Sequence, residues 1–372
     1  MSKLSIAFLS VFYPFRGGIA QFNNELFTSL KEDSAVSAYN FTKQYPAILF
    51  PGKTQLVDKQ DPDPSINATA VLNSVNPLSY LATSKLINKQ NPDVMITSYW
   101  MPFFAPALGK SISGVKAKKV ALLHNVIPHE KRFFDDAFNK YYLSKNNAFI
   151  VLSDTVKNQL LSYIPDAKYI QIPHPVYSHF GKILDKSDSK ISLGINPERK
   201  VVLFFGFIRK YKGLDLLIEA LSTYDDNFTL LIAGESYENE GELTEQLAAA
   251  GIEGEKLCKC VKYIPDDEVK LYFSASDVCV LPYRTATQSG IAAIAKHFEV
   301  PMVVTPVGEL PNEVNHDHDG IVCDDVSPQS VKQGIIKAVA NQVAFQEYTR
   351  KDNKENTFGN FGKKVLEFIN TL

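Results

Sequence analysis

Two α/β domains, each a doubly wound parallel sheet of Rossmann type, are what this sequence predicts, and three observations lead there. Short apolar runs recur along the chain with helical patterns between them, the signature of parallel strands buried on both faces. The 372 residues exceed what one hydrophobic core usually serves. A polar stretch from Tyr177 to Arg199, with Gly181, Gly194, Pro197 and the mixed-charge run Asp185 to Lys190, separates two such series and reads as an interdomain linker.

In the first half the strand-like runs are Ile6 to Leu9, Val94 to Ile96, Val120 to Leu123 and Phe149 to Leu152. The second half repeats the rhythm with Val201 to Phe205, Phe228 to Ala233, Val278 to Leu281 and Met302 to Val304. Between the first two of these, Leu214, Leu217, Ile218 and Leu221 stand at helical spacing while Asp215 and Glu219 fall on the other face, so a helix packed on the sheet completes a βαβ crossover. The expected division is 1–177 for the amino-terminal domain and 178–355 for the carboxy-terminal domain. The last segment, Phe358 to Leu372, reads as a helix with Phe361, Val365, Phe368 and Ile369 on its buried face; 356–372 is expected to pack back on the first domain.

Composition narrows the function classes. With 45% hydrophobic and 22% charged residues the chain is globular in character, and a net charge of -2 gives no general reason to bind nucleic acid. Cys258, Cys260, Cys279 and Cys323 lack any C-x-x-C spacing and read as reduced thiols rather than a zinc site. The opening run Leu4 to Ser10 has neither the length nor the flanks of a secretory leader and reads as a first strand. Without a run of about 18 apolar residues, the expected location is cytoplasmic, with peripheral contact at the inner face of a membrane left open.

The strongest chemical signal is Phe204-Phe205-Gly206-Phe207-Ile208-Arg209-Lys210-Tyr211-Lys212-Gly213: a buried strand ends in a glycine turn that carries basic residues ahead of a helix. Open α/β sheets bind ligands at that carboxyl edge, and a diphosphate there would gain charge-assisted hydrogen bonds from Arg209 and Lys212. A second loop of the same kind, Pro282-Tyr283-Arg284-Thr285-Ala286-Thr287-Gln288-Ser289-Gly290, offers small residues and backbone N–H groups at a helix start.

With these loops on the page the chain resembles the retaining glycosyltransferases of family 4, which have the GT-B fold of two Rossmann-like domains facing a cleft. The anchors are Phe205-Gly206 with Arg209 and Tyr211-Lys212-Gly213, Ala233-Gly234-Glu235, Tyr263-Ile264-Pro265, Asp277 with Leu281-Pro282-Tyr283, Thr287-Gln288-Ser289-Gly290, Pro301 to Thr305, and Val307-Gly308. A bacterial subgroup is suggested by Gly17-Gly18-Ile19-Ala20, Gln44-Tyr45-Pro46, Phe50 to Gln55, Trp100 with Pro102 to Leu108, His124-Asn125-Val126 with Pro128-His129-Glu130, and Pro173-His174-Pro175.

The resemblance implies that Arg209 and Lys212 neutralise the leaving nucleoside diphosphate, and that Gly17 and Gly18 allow close approach to the donor. It implies that His124 lies near the transferred sugar, that Tyr263 and Ile264 hold the nucleobase, and that Glu235 borders the same site. Gln288, Ser289 and Gly290 stand in the donor loop where most members carry the first of two glutamates; Thr287 and Ala295 occupy the approximate positions of that pair, which puts donor identity in question. Phe207 stands where an arginine is conventional, and its role is assigned to Arg209. The implied co-substrate is a nucleoside diphosphate sugar of UDP or GDP type, the acceptor a sugar or lipid-linked sugar, and no cofactor or metal is expected. Two other functions remain open from sequence: a GT-B-fold nucleotide-sugar epimerase, and a catalytically weak sugar-nucleotide-binding partner protein.

Three stretches invite other readings. Asp61-Pro62-Asp63 and His316-Asp317-His318-Asp319 look metal-binding but sit in polar turns. From Glu130 to Lys145, basic residues interleave with Phe133, Phe134, Phe138 and Tyr141; an amphipathic helix packed on the core is the plainer reading, and a weak membrane contact the alternative.

Overall fold

The computed structural model describes residues 3–46, 55–57, 66–128, 132–177, 180–224, 227–286 and 289–372. The Asp61-Pro62-Asp63 stretch and two donor-loop residues, Thr287 and Gln288, lie outside the described residues. The chain divides into two compact units, 1–175 with 356–372, and 176–355.

In the first unit the elements run β1 (Ser5–Leu9), α1 (Gly18–Asp33), β2 (Ala35–Lys43), β3 (Thr69–Asn73), α2 (Pro77–Gln90), β4 (Val94–Tyr99), α3 (Ala105–Ser113), β5 (Lys118–Leu123), α4 (Asp135–Leu143), β6 (Ala148–Val151), α5 (Asp154–Tyr163) and β7 (Tyr169–Gln171). Among the described residues they form one sheet in the order β3-β2-β1-β4-β5-β6-β7, every pair parallel. β4 and β6 are buried at every position; β6 is apolar throughout, while β4 opens on the apolar run Val94 to Ile96 and continues with the buried Thr97 and Ser98. β2 is less legible because Asn40 interrupts it. That side chain is buried, but it accepts from the Phe12 N–H at 3.1 Å and donates to the Phe12 and Tyr13 carbonyls, so the turn after β1 satisfies it.

In the second unit the order is α6 (Lys186–Ser192), β8 (Lys200–Phe205), α7 (Leu214–Ser222), β9 (Phe228–Ala233), α8 (Glu240–Ala249), β10 (Leu257–Cys260), α9 (Asp266–Ser274), β11 (Val278–Leu281), α10 (Gly290–His297), β12 (Met302–Val304), α11 (Leu310–Glu313), β13 (Gly320–Val322), α12 (Pro328–Ala340) and α13 (Gln342–Asp352). The sheet runs β10-β9-β8-β11-β12-β13, again parallel. Strand order reverses between β8 and β11, and such a switch point is where loops diverge and leave room for a ligand.

The polar stretch read as a linker is largely part of this unit. Asp185 caps α6 by accepting from the Asp188 N–H at 2.9 Å, and Lys190 of that helix is buried, its ammonium 3.1 Å from the equally buried Asp277. Mixed charge signalled exposure in the sequence; in the fold it supplies a buried ion pair that fastens α6 beneath β11.

The chain ends in α14 (Phe358–Asn370), which lies against α1 within the first unit. The Ser29 hydroxyl donates to the Phe358 carbonyl at 2.8 Å, and Phe358 and Phe361 meet Phe22 edge-on at 5.1 and 5.5 Å.

Candidate functional site

The sequence places Arg209 and Lys212 just beyond β8, and the fold explains how that edge is held. The Gly206 N–H donates to the Ala233 carbonyl at 2.9 Å and the Gly234 N–H to the Cys260 carbonyl at 3.1 Å, so the carboxyl ends of β8, β9 and β10 are joined in series. The turn after β8 is then paired with the turn after β9: the Ile208 N–H donates to the Glu235 carbonyl at 2.9 Å and the Tyr237 N–H to Ile208 at 3.2 Å. Glu235 is half-buried in that second turn. Tyr263, half-buried, and Ile264, buried, follow β10 along the same edge.

On this frame Arg209 spreads its guanidinium over the Tyr237 ring, 4.6 Å from the centroid. Its Nε is buried without a hydrogen-bond partner. Lys212 is buried, and its ammonium rests 5.0 Å from the Tyr283 ring centroid. Among the described residues it has no hydrogen bond and no ion pair. Burial holds the Lys212 pKa below the usual 10.5; Tyr211 opposes this, the Arg209 charge adds to it, and Cys279 opposes it least.

Of the two further basic residues of these loops, Lys210 is exposed and Arg284 is committed elsewhere. Arg284 binds Asp215 through two bonds of 2.8 and 2.7 Å and donates to the Lys210 carbonyl at 3.0 Å, while its own N–H reaches the Tyr211 carbonyl at 2.7 Å. The loop after β11 is thus tied to the turn that carries Lys212.

Tyr283 also connects to the start of α10, its hydroxyl 3.5 Å from the Ser289 Oγ. A Cβ built on Gly206 would lie 3.4 Å from Lys212 Nζ and 3.3 Å from the Ile291 side chain, so the ammonium and the first turn of α10 flank one spot at the switch point. Gly290 opens that helix, exposed, with nothing within 4 Å of a Cβ placed on it; the turn itself does not require glycine there. Ser289 and Gly290 therefore belong with Lys212 and Arg209, whereas Gln288 lies outside the described residues.

Three predicted residues lie in the first unit. Gly17 caps α1 at φ 110°, a conformation only glycine adopts readily, and both Gly17 and Gly18 are exposed with open space where a Cβ would stand. His124 follows β5, anchored by its N–H to the Tyr99 carbonyl at 2.8 Å. Its ring meets Phe22 edge-on at 4.9 Å, and Nε2 is buried without a partner. Burial first, and the neighbouring His174 second, bring the His124 pKa down to about 3. Burial brings His174 to about 4, with its bond to the Pro175 carbonyl acting the other way.

Both imidazoles are therefore neutral in the native state, while an unfolded chain takes up protons below about 6.5. Their contribution to stability is complete above pH 6.5 and is lost as pH falls toward 4, at about 1.4 kcal/mol per pH unit for each. Urea unfolding between pH 6.5 and 4.5 should show this loss, and His124→Gln should make the slope shallower by about 1.4 kcal/mol per unit. An unchanged slope would mean that His124 is not buried in neutral form.

Elsewhere the His316-Asp317-His318-Asp319 stretch, which invited a metal reading, is structural. His316 Nδ1 accepts from the Val322 N–H at 3.0 Å and Asp319 accepts from the Asn315 backbone at 2.8 Å, so this stretch ties off its own turn. The four cysteines form no disulfide. Among the described residues no helix is long and apolar enough to cross a membrane.

Sequence reasoning did not find Tyr237, whose ring lies under the Arg209 guanidinium. It stands in the turn after the next strand, and no local pattern links the two positions.

With this geometry in hand, residues 185–364 match the family model described as glycosyl transferases group 1. An uncharacterized glycosyltransferase of Methanocaldococcus jannaschii is 25% identical over 176 residues, 47% of this chain and 44% of that protein. The chain spans about half the length of the curated relatives it matches. Among solved structures, sucrose-phosphate synthase from Thermosynechococcus elongatus aligns with a TM-score of 0.77 at 14% identity, covering 99% of this chain and 98% of that one. HepE from Anabaena, solved in complex with UDP, aligns with a TM-score of 0.76 at 15% identity, covering 99% and 100%. These likenesses establish the fold as that of GT-B glycosyltransferases.

Proposed function

We propose that this GT-B chain is a retaining, family 4 glycosyltransferase of the bacterial subgroup with Thr287-Gln288-Ser289-Gly290 in its donor loop. It moves a hexosyl group from a nucleoside diphosphate sugar of UDP or GDP type to a hydroxyl of a sugar or lipid-linked sugar, in polysaccharide or glycoconjugate synthesis. The observation that carries this reading is the buried Lys212 ammonium, which has no hydrogen bond or ion pair among the described residues and stands near the Arg209 charge. Leaving a buried cation unpaired costs several kcal/mol, a cost that makes sense where an anionic ligand completes the site. The UDP complex of HepE, similar in fold, supports the nucleotide part of the reading.

In this reading negative charge accumulates on the diphosphate as the bond to the anomeric carbon breaks. Lys212 and Arg209, fixed by the β8–β10 edge and by the Arg284 tie, stabilise that charge without having to reorganise. The neutral His124 imidazole can exchange a hydrogen bond with a sugar hydroxyl through the Nε2 that lacks a partner. Phe133, 99% exposed beside the exposed Arg132, supports weak peripheral contact with a membrane surface.

The test is a panel of UDP-, GDP- and ADP-sugars assayed for hydrolysis and for transfer to sugar acceptors, with and without EDTA. Release of the nucleoside diphosphate from at least one donor, unaffected by EDTA, is expected because the cation pair acts on the leaving group. Loss of activity with EDTA and its return on adding a divalent metal would reject the metal-independent part. A changed sugar on the intact nucleotide would identify an epimerase instead.

A further inference from the structure

We infer that Tyr237 is a positioning residue of the donor site: its ring holds the Arg209 guanidinium where the diphosphate will meet it. The inference rests on the donor reading above. An arginine side chain has many rotamers, and among the described residues no hydrogen bond or ion pair holds this one in a single position. Lys212, in the same turn, donates its N–H to the Arg209 carbonyl at 2.8 Å, so two cations share one turn and repel each other. What remains to fix the guanidinium is the Tyr237 ring, whose centroid lies 4.6 Å from the guanidinium carbon. The negative face of an aromatic ring attracts a cation, and more strongly away from water.

The ring is itself held in place. The Tyr237 N–H donates at 3.2 Å to the carbonyl of Ile208, the residue before Arg209, so ring and guanidinium belong to one pair of joined turns. Ser236, bridged to Ile208, uses its hydroxyl to accept from the Glu238 N–H and to donate to the Glu238 carbonyl, both at 3.2 Å. That closes the turn around Tyr237. Phe207 then meets the ring edge-on, with centroids 5.2 Å apart and planes at 89°; being 42% exposed, it braces Tyr237 more than it fills the core. A stack that served packing alone would have no reason to leave the Arg209 Nε buried without an acceptor, since an unmet buried donor is a cost. An acceptor brought by an anionic ligand removes that cost.

The probes are UDP and GDP. Tyr237→Leu keeps apolar bulk but removes the ring face, and should weaken binding of the better probe about 3- to 30-fold, the range of a cation–π contact. Turnover should fall further, by up to about 100-fold, because a displaced cation stabilises the developing charge poorly. Tyr237→Phe keeps the ring and should stay within about 2-fold of the wild type. In an Arg209→Met background Tyr237→Leu should add nothing, whereas a ring that served the fold or touched the ligand itself would cost as much there as in the wild type. The nitrogen–proton spectrum of the unmodified protein adds an independent measurement. The Arg209 Nε–H signal, assigned by its absence from Arg209→Lys, should be shifted upfield by the ring current both before and after UDP is added. It decides the matter should Tyr237→Leu fail to fold. The role of Tyr237 alone would be overturned by an undiminished loss in the Arg209→Met background, by a Tyr237→Phe variant as weak as Tyr237→Leu, by unchanged or tighter binding in Tyr237→Leu, or by an unshifted signal. Binding of neither probe, or binding indifferent to Lys212→Met, would overturn the donor reading instead.

Discussion

Lys212→Met should lower donor affinity and raise thermal stability together. The substitution keeps the length and the apolar stem of the side chain and removes the charge. A charge-assisted hydrogen bond to a diphosphate contributes roughly 1.5 to 3 kcal/mol, so binding of the nucleoside diphosphate should weaken about 10- to 150-fold. Turnover should suffer more than binding, because the cation acts most strongly on charge that develops as the leaving group departs; a further factor of about 100 is in the range seen for lost electrostatic stabilisers. The stability effect has the opposite sign because the ammonium is buried with no hydrogen bond or ion pair among the described residues, and its desolvation is no longer a cost once the charge is gone. Isothermal calorimetry with UDP and GDP, steady-state kinetics and a melting curve make the comparison. A less stable variant with undiminished donor affinity would show that Lys212 serves packing and not the ligand.

The second large effect concerns Gly234. Its φ of 142° lies where side chains are strained, and an added Cβ would stand 2.0 Å from the Gly206 carbonyl oxygen and 2.6 Å from its carbon. Neither backbone can yield easily, because Gly206 is bonded to Ala233 and Gly234 to Cys260. Gly234→Val should therefore cost about 3 kcal/mol or more and separate the turns that carry Arg209 and Glu235. Chemical denaturation should show unfolding of the second unit at markedly lower urea. Gly290→Val is the control, since its Cβ position is open: the fold should persist, and any damage should appear in donor binding alone. Equal stability of Gly234→Val and wild type would contradict the close approach of the two turns.

The comparison with sequence turns on which residues carry a pattern. β6 and β11, and the apolar stretches within β4, β8 and β9, were legible because burial on both faces favours apolar runs. β10 was not read as a strand, since its edge position leaves Lys259 exposed and the cysteines half-buried, and β2 was hidden by the buried Asn40. The cation-bearing turn after β8 stood out because basic residues rarely follow a buried strand and a glycine without a reason. Which cations stay unpaired was beyond reach: Arg284 looked as available as Arg209 until its bonds to Asp215 were seen. Tyr237 was illegible for a related cause, being 28 residues from Arg209 in the chain and brought to it only by the pairing of the turns after β8 and β9.

The contact of α14 with α1 has a consequence for the order in which the chain can fold on the ribosome. Ser29 meets the Phe358 carbonyl across 329 residues of sequence, and every residue of the second unit is made between them. A contact so distant in the chain forms late, because all the intervening polypeptide must first be synthesised and its ends brought together. The second unit is contiguous and can complete its core while the first still leaves Phe22 without the cover of Phe358 and Phe361. The nascent first unit is therefore the one with apolar surface open to a chaperone, until the last helix emerges and closes it.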